Sequence, residues 1–123
     1  MGIIGETGSG KTSLTNIISR LFDATEGNVS VNNENIKNIE LKSLKHAIGY
    51  VPQDSFLFSD TISNNIQFGL ESDEMNEEIM HQAAKDAHIY NNIIDFKDGF
   101  ETIVGERGVT LSGGQKQRVS IAR

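Results

Sequence analysis

Apolar residues recur along this chain at two periods, and the switches between them mark out its elements. Met1-Gly2-Ile3-Ile4 is a short apolar run leading into a glycine-rich turn, the pattern of a buried parallel strand. Leu14, Ile17, Ile18, Leu21 and Phe22 then recur at i, i+3, i+4, i+7 and i+8, which predicts a helix with one face packed on a sheet. Turn residues from Asp23 to Gly27 end it. Val29 and Val31 alternate with polar neighbours, and Asn32-Asn33-Glu34-Asn35 turns the chain back toward Ile36, a half-exposed hairpin. Leu41, Leu44 and Ile48 mark a short helix. Tyr50-Val51 reads as a strand that runs into Pro52-Gln53, where a residue without an N–H ends the pairing. Ile79, Met80, Ala83, Ala84 and Ala87 predict a helix from Asn76 to Ala87, with Glu77 and Glu78 suited to its positive end. There is no internal repeat, low-complexity tract or heptad run.

Composition narrows the class. A chain of 123 residues has room for one domain, and 37% hydrophobic content with six Phe and no Trp is ordinary for a globular fold. The apolar runs are far shorter than the roughly 18 residues of a spanning helix, and no basic segment followed by an apolar h-region opens the chain. Any membrane-embedded part is therefore expected outside this segment. With no cysteine there is neither a disulfide framework nor a thiolate metal site, which favours the cytosolic side. The net charge of −6 argues against nucleic-acid binding, which relies on Lys and Arg contacts to phosphates. The basic groupings Lys37-Lys42-Lys45 and Lys116-Arg118-Arg123 are expected to be solvated faces.

Two strings carry the chemistry. Gly5-Glu6-Thr7-Gly8-Ser9-Gly10-Lys11-Thr12 fits the P-loop pattern G-x-x-x-x-G-K-[ST], which average residue usage produces by chance in such a chain about once in two hundred. Gly5, Gly8 and Gly10 allow backbone N–H groups to ring phosphate oxygens where a Cβ would obstruct. The helix starting near Lys11 adds its positive end, the Lys11 ammonium reaches the β- and γ-phosphates, and Thr12 offers a hydroxyl to Mg²⁺. The second string, Leu111-Ser112-Gly113-Gly114-Gln115, arises by chance with a frequency on the order of 10⁻⁴. Ser112 can cap the following helix, while Gly113 and Gly114 leave its first N–H groups open to an anion.

With both strings in order, the chain resembles the nucleotide-binding domain of an ABC transporter, specifically of the exporter type, across nearly its whole length. The resemblance implies an α/β P-loop NTPase core with a helical signature subdomain, ATP and Mg²⁺ as ligands, and a place on the cytoplasmic face of a membrane. It identifies Leu111 to Gln115 as the family's signature, which completes the ATP held by the P-loop of a second nucleotide-binding domain in a head-to-tail dimer. Tyr50-Val51-Pro52-Gln53-Asp54-Ser55-Phe56-Leu57-Phe58-Ser59 resembles the family's Q-loop. By that resemblance Gln53 lines the Mg²⁺ and positions the attacking water, and Phe56, Leu57 and Phe58 face the coupling helices of the transmembrane domain. Burial of Phe56 and Phe58 in the core is the alternative, since aromatic rings are often buried simply for area. Thr102 to Gly108 resembles the exporter X-loop, so Val104 to Gly108 would also meet the coupling helices; without the resemblance it is a glycine-bounded surface loop.

The family continues past the signature helix into an apolar strand with an Asp-Glu pair and a switch histidine, and His46, His81 and His88 all precede the signature. Ile93-Ile94-Asp95-Phe96 also precedes it and lacks the second carboxylate, so Asp95 is expected at a helix end or on the surface. The chain is thus expected to be incomplete at both ends, marginally stable, and inactive as an ATPase on its own. Two other functional classes stay open. One is a non-hydrolysing nucleotide-binding fragment; the other is a soluble ABC ATPase, although the coiled coil that the DNA-repair type inserts between Gln53 and the signature has no heptads here to form it. A GTPase is disfavoured because no Asn-Lys-x-Asp motif follows the P-loop.

Overall fold

The computed structural model describes residues 2–68, 70, 76–105 and 109–123. They form two compact units, Met1–Tyr50 and Val51–Arg123.

In the first unit, α1 (Lys11–Ile18) opens directly after Gly10, the last residue of the P-loop turn. It ends in a Schellman closure: Arg20 N–H donates to Ile17 O at 3.0 Å and Leu21 N–H to Asn16 O at 2.9 Å, with Arg20 itself left-handed at φ 52°. The expected apolar face exists, but Leu14, Ile18, Leu21 and Phe22 are exposed and no sheet covers them among the described residues. The hairpin forms as β1 (Ser30–Val31) and β2 (Glu34–Asn35), antiparallel, with Ser30 opposite Asn35 and Val31 opposite Glu34. Its turn is tighter than expected, two residues rather than four. Asn32 (φ 51°) and Asn33 (φ 67°) both take the left-handed conformation that a type I′ turn requires and that asparagine tolerates. Helix α2 (Leu41–His46) follows and buries Leu44. Arg20 ties this unit together, donating through Nη1 to Ile36 O at 3.0 Å and Ile39 O at 2.9 Å and pairing with Asp23 at 3.5 Å.

Two expected strands do not form. Residues 2–4 and 50–51 are not in strands, and the hairpin is the one sheet among the described residues. A strand is defined by the ladder its neighbour provides, so an apolar run without a partner keeps the sequence signature and loses the structure. Ile3, Ile4, Tyr50 and Val51 are accordingly exposed.

The second unit holds the larger core. It contains α3 (Ile62–Gln67), α4 (Glu77–Asp86), α5 (Tyr90–Ile94), a 3₁₀ turn at Gly99–Glu101, and α6 (Gly113–Ala122). Ile62, Ile66, Met80, Ala84, Ile89, Ile93, Val104, Leu111 and Val119 pack into one buried cluster. Helix α4 matches its expected span. Asn76 caps it by accepting from Glu78 N–H at 2.8 Å, and Glu77 and Glu78 occupy the first turn. Its buried stripe runs through Met80, Ala84 and Ala87, while Ile79, expected on that face, is exposed. A second Schellman closure ends α4, with His88 at φ 54° where glycine is usual and Ile89 N–H donating to Ala84 O at 2.9 Å. Asp95 lies at the C-cap of α5 and is exposed, as expected. Helices α3 and α5, of six and five residues, are too short to show a 3.6-residue period, so the apolar pattern does not announce them. Among the described residues no helix is long and apolar enough to cross a membrane.

Candidate functional site

The P-loop is shaped by two glycines with φ values that side-chain-bearing residues avoid. Gly8 (φ 83°) and Gly10 (φ 90°) are both left-handed, and Ser9 N–H donates to Glu6 O at 3.2 Å, so the chain doubles back over Glu6 and Thr7 before entering α1. Gly10 is the N-cap of α1 and has no side chain to fold over the first N–H groups. The positive end of α1 therefore stays open to an anion, which a Ser or Asp cap would have partly covered.

Lys11 draws the loop together. Its ammonium donates to Gly5 O at 2.9 Å, Glu6 O at 2.6 Å and Ser9 Oγ at 3.4 Å. Among the described residues its hydrogen-bond acceptors are neutral oxygens, and an anion would add a charge-assisted bond to the same ammonium. Gly8, Gly10, Lys11, Thr12 and Ser13 surround a shallow cavity of about 200 Å³. Thr12 is exposed at its rim, so its hydroxyl is available as an oxygen ligand. No group of three or more His, Cys, Asp or Glu side chains able to hold a metal occurs among the described residues. A hydroxyl supplemented by phosphate oxygens suits Mg²⁺, which takes few protein ligands. Both ATP and Mg²⁺ fit the residues present.

Gln53 lies exposed near the start of the second unit, which also carries the signature residues. At the signature, Ser112 Oγ accepts from Gln115 N–H at 3.3 Å and Gln115 Oε1 accepts from Ser112 N–H at 2.9 Å, a complete capping box. The cap fixes where α6 begins. Gly113 and Gly114 follow as its first two residues, both exposed, with N–H groups that have no acceptor inside the helix.

The structure joins two segments that are far apart in sequence. Ile62 N–H donates to Thr102 O at 3.0 Å and Val104 N–H to Asp60 O at 2.9 Å, with Thr61 and Ile103 paired antiparallel. Gly105, at φ 103°, comes so close to Ser59 that a Cβ would lie 2.9 Å from its Cα. Phe56, Leu57, Val104, Gly105, Leu111 and Lys116 thereby line one cavity of about 440 Å³. Phe56 is 67% exposed and Phe58 38%, so neither ring is a core residue; Leu57 is the one of the three that packs against the core. Glu106, Arg107 and Gly108, the rest of the expected X-loop surface, lie outside the described residues.

The basic grouping Lys116-Arg118-Arg123 is not simply a solvated face. Arg118 Nη1 donates to His88 O at 3.0 Å, and Arg123 reaches Asn65 and Phe56. Nothing in local composition signals these contacts, since the partners are main-chain carbonyls and one buried amide.

The family model described as "ABC transporter" matches residues 1–123. The chain is 47% identical to the heavy metal tolerance protein of Schizosaccharomyces pombe over 123 residues, all of this chain and 15% of that protein. It is 42% identical to the mitochondrial iron-sulfur clusters transporter ATM1 of Gibberella zeae, all of this chain and 17% of that protein. It is 45% identical to the ATP-dependent lipid A-core flippase of Desulfotalea psychrophila, all of this chain and 21% of that protein. A solved structure described as a bacterial Atm1-family ABC exporter with ATP bound matches with a TM-score of 0.87 at 41% identity, over 95% of this chain and 20% of that one. The chain thus spans about a fifth or less of the length of these relatives.

Proposed function

The chain belongs to the ABC transporter family, with the P-loop NTPase fold that membership implies, and from that premise we propose that it is the ATP-binding part of an exporter, on the cytoplasmic face of a membrane. Gly5, Glu6, Thr7, Gly8, Ser9, Gly10, Lys11 and Thr12 hold the triphosphate. The main-chain N–H groups of the loop and the open start of α1 supply donors, and Lys11 supplies the charge that β- and γ-phosphates require. Thr12 and Gln53 bind Mg²⁺, which neutralises charge developing on the phosphoryl oxygens. Gln53 orients the attacking water. Ser112, Gly113, Gly114 and Gln115 complete the ATP held by a second nucleotide-binding domain, head to tail, so the same chain provides the two halves of two composite sites. Phe56, Leu57, Phe58 and the segment Val104 to Gly108 dock on coupling helices of a transmembrane domain, which selects the cargo. Val104 N–H donates to Asp60 O and Ile62 N–H to Thr102 O, which brings the chain just after Phe58 beside Val104 and supports the reading of a joint docking surface.

The carrying observation is the P-loop itself: two left-handed glycines, an uncapped helix start and a Lys11 ammonium resting on neutral oxygens. The test is Mg²⁺-dependent ATP hydrolysis by the full-length protein. Lys11→Ala is expected to lower the rate by about 10²–10³, the scale for losing one preorganised electrostatic group. Hydrolysis unaffected by Lys11→Ala would place the activity elsewhere, and ATP binding without hydrolysis in the unaltered protein would favour a non-hydrolysing nucleotide-binding role.

A further inference from the structure

Beyond Ala122, at the end of α6 remote from Ser112, the Arg123 side chain reaches two separate pieces of chain, 56–58 and 65–68. Nε donates to Asn65 O at 3.0 Å, while Nη2 donates to Asn65 Oδ1 at 3.2 Å and to Phe56 O at 3.3 Å. The guanidinium carbon lies 5.6 Å from the centre of the Phe58 ring and 5.8 Å from that of Phe68, within cation–π range of both. Phe58 and Phe68 are themselves 4.4 Å apart, and Phe56 meets Phe58 edge-on at 5.3 Å.

Asn65 is the hub of this contact. It is only 1% exposed, and its amide uses its full hydrogen-bonding capacity. Nδ2 donates to Phe58 O at 3.0 Å and Thr61 O at 2.9 Å; Oδ1 accepts from Phe58 N–H at 2.8 Å and from Arg123. The main chain of Phe56 and Phe58 is thus held by two side chains, one from α3 and one from the end of α6. Among the described residues every hydrogen-bond acceptor of Arg123 is neutral, and partial burial lowers the guanidinium pKa from its usual value, so the contact is a geometric clamp. Only the planar fork of an arginine presents donors to acceptors on separate segments at once while also stacking on rings.

We propose that Arg123 is a positioning residue, through which α6 sets the arrangement of the aromatic surface formed by Phe56, Phe58 and Phe68. Helix α6 is ten residues long. It therefore spans about 15 Å as a single rod, so its Gly113 end and its Arg123 end move together. Engagement of phosphate at the Ser112–Gly114 end is passed to the docking surface by this rod and its clamp. The inference rests on the reading of the signature as a phosphate site and of Phe56 to Phe58 as a docking surface.

The test is amide hydrogen exchange on the full-length protein, reading peptides that cover residues 56–68 with and without Mg·ATP and orthovanadate. In the unaltered protein the nucleotide is expected to change exchange in this segment. In Arg123→Lys the nucleotide-dependent difference is expected to shrink by about fivefold or more, the lower range of a typical coupling between sites. The affinity for a fluorescent ATP analogue should stay within about twofold, because Arg123 is not among the phosphate-binding residues. A residue that merely stabilised the fold would raise exchange equally in both states and leave the difference intact, and that result would overturn the proposal. Absence of any nucleotide-dependent change at 56–68 in an unaltered protein that hydrolyses ATP would also overturn it, whereas absence of nucleotide binding would remove the functional reading beneath it. Should Arg123→Lys fail to fold, Phe68→Leu decides: it removes one stacking face of the clamp at a ring that is 63% exposed, and an undiminished difference there counts against the proposal.

Discussion

The two units of this chain build the helix starts at their two glycine-rich motifs by opposite means. In Met1–Tyr50 the P-loop is made by backbone conformation: left-handed Gly8 and Gly10, and a lysine that hydrogen-bonds the carbonyls of the same loop. Little is buried around it. Ile36 and Leu44 are the fully buried hydrophobic residues described in that unit, and α1 leaves most of its apolar face exposed. In Val51–Arg123 the signature helix is placed by a core, with Val119 and Ala122 of α6 sunk among Ile62, Ile66, Met80 and Ile93. A loop that binds through main-chain N–H groups needs the right φ values, which are a local property, whereas a helix that must present its end in a set direction needs neighbours to pack against.

The sharpest way to break this comparison is to cut equally into both units. Ile93→Ala removes a fully buried side chain and is expected to cost about 2–5 kcal/mol, while Leu14→Ala, on the exposed face of α1, is expected to cost under about 1 kcal/mol. Denaturant unfolding of the full-length protein and its variants measures both. Equal costs would mean that the α1 face is covered in the assembled protein, and would redraw the contrast. At the signature, Ser112→Ala deletes half of the capping box and is expected to destabilise α6 by about 1 kcal/mol, read as faster amide exchange in its first turn.

The smallest effect concerns pH. The Asp60 carboxyl is held below its usual pKa first by the Asn64 side-chain hydrogen bond and then by Thr61 N–H, with burial opposing slightly. Its folded pKa is depressed, so the stability it contributes is fully present above the ordinary carboxylate pKa and is lost as pH falls through the lower, folded value. Asn64→Ala should raise the Asp60 titration midpoint seen by carboxyl NMR; an unmoved midpoint would show that Thr61 N–H alone sets it.

Much of this was legible in the residues. The P-loop and signature are strings whose chemistry depends on adjacent residue types, so Gly8, Gly10 and Lys11 could be identified before any fold was known. Ser112 was recognisable as a cap, because capping is a contact between near neighbours, and Glu77 and Glu78 marked the first turn of α4. The Schellman closures were hidden because Arg20 and His88 occupy the positions where glycine would have announced them.

What the sequence determined by itself therefore acts over a few residues of telling type: the P-loop turn, the signature cap, the asparagine hairpin and the acidic first turn of α4. Only the tertiary structure decided which apolar runs become strands, because a strand exists only where a second segment offers it a ladder, and 2–4 and 50–51 have none among the described residues. It also decided that Val104 lies beside Asp60 and that Arg123 clamps Asn65 and Phe56. These contacts join residues tens of positions apart through main-chain carbonyls, which every residue carries alike, so no residue type in the sequence distinguishes them from any other pair.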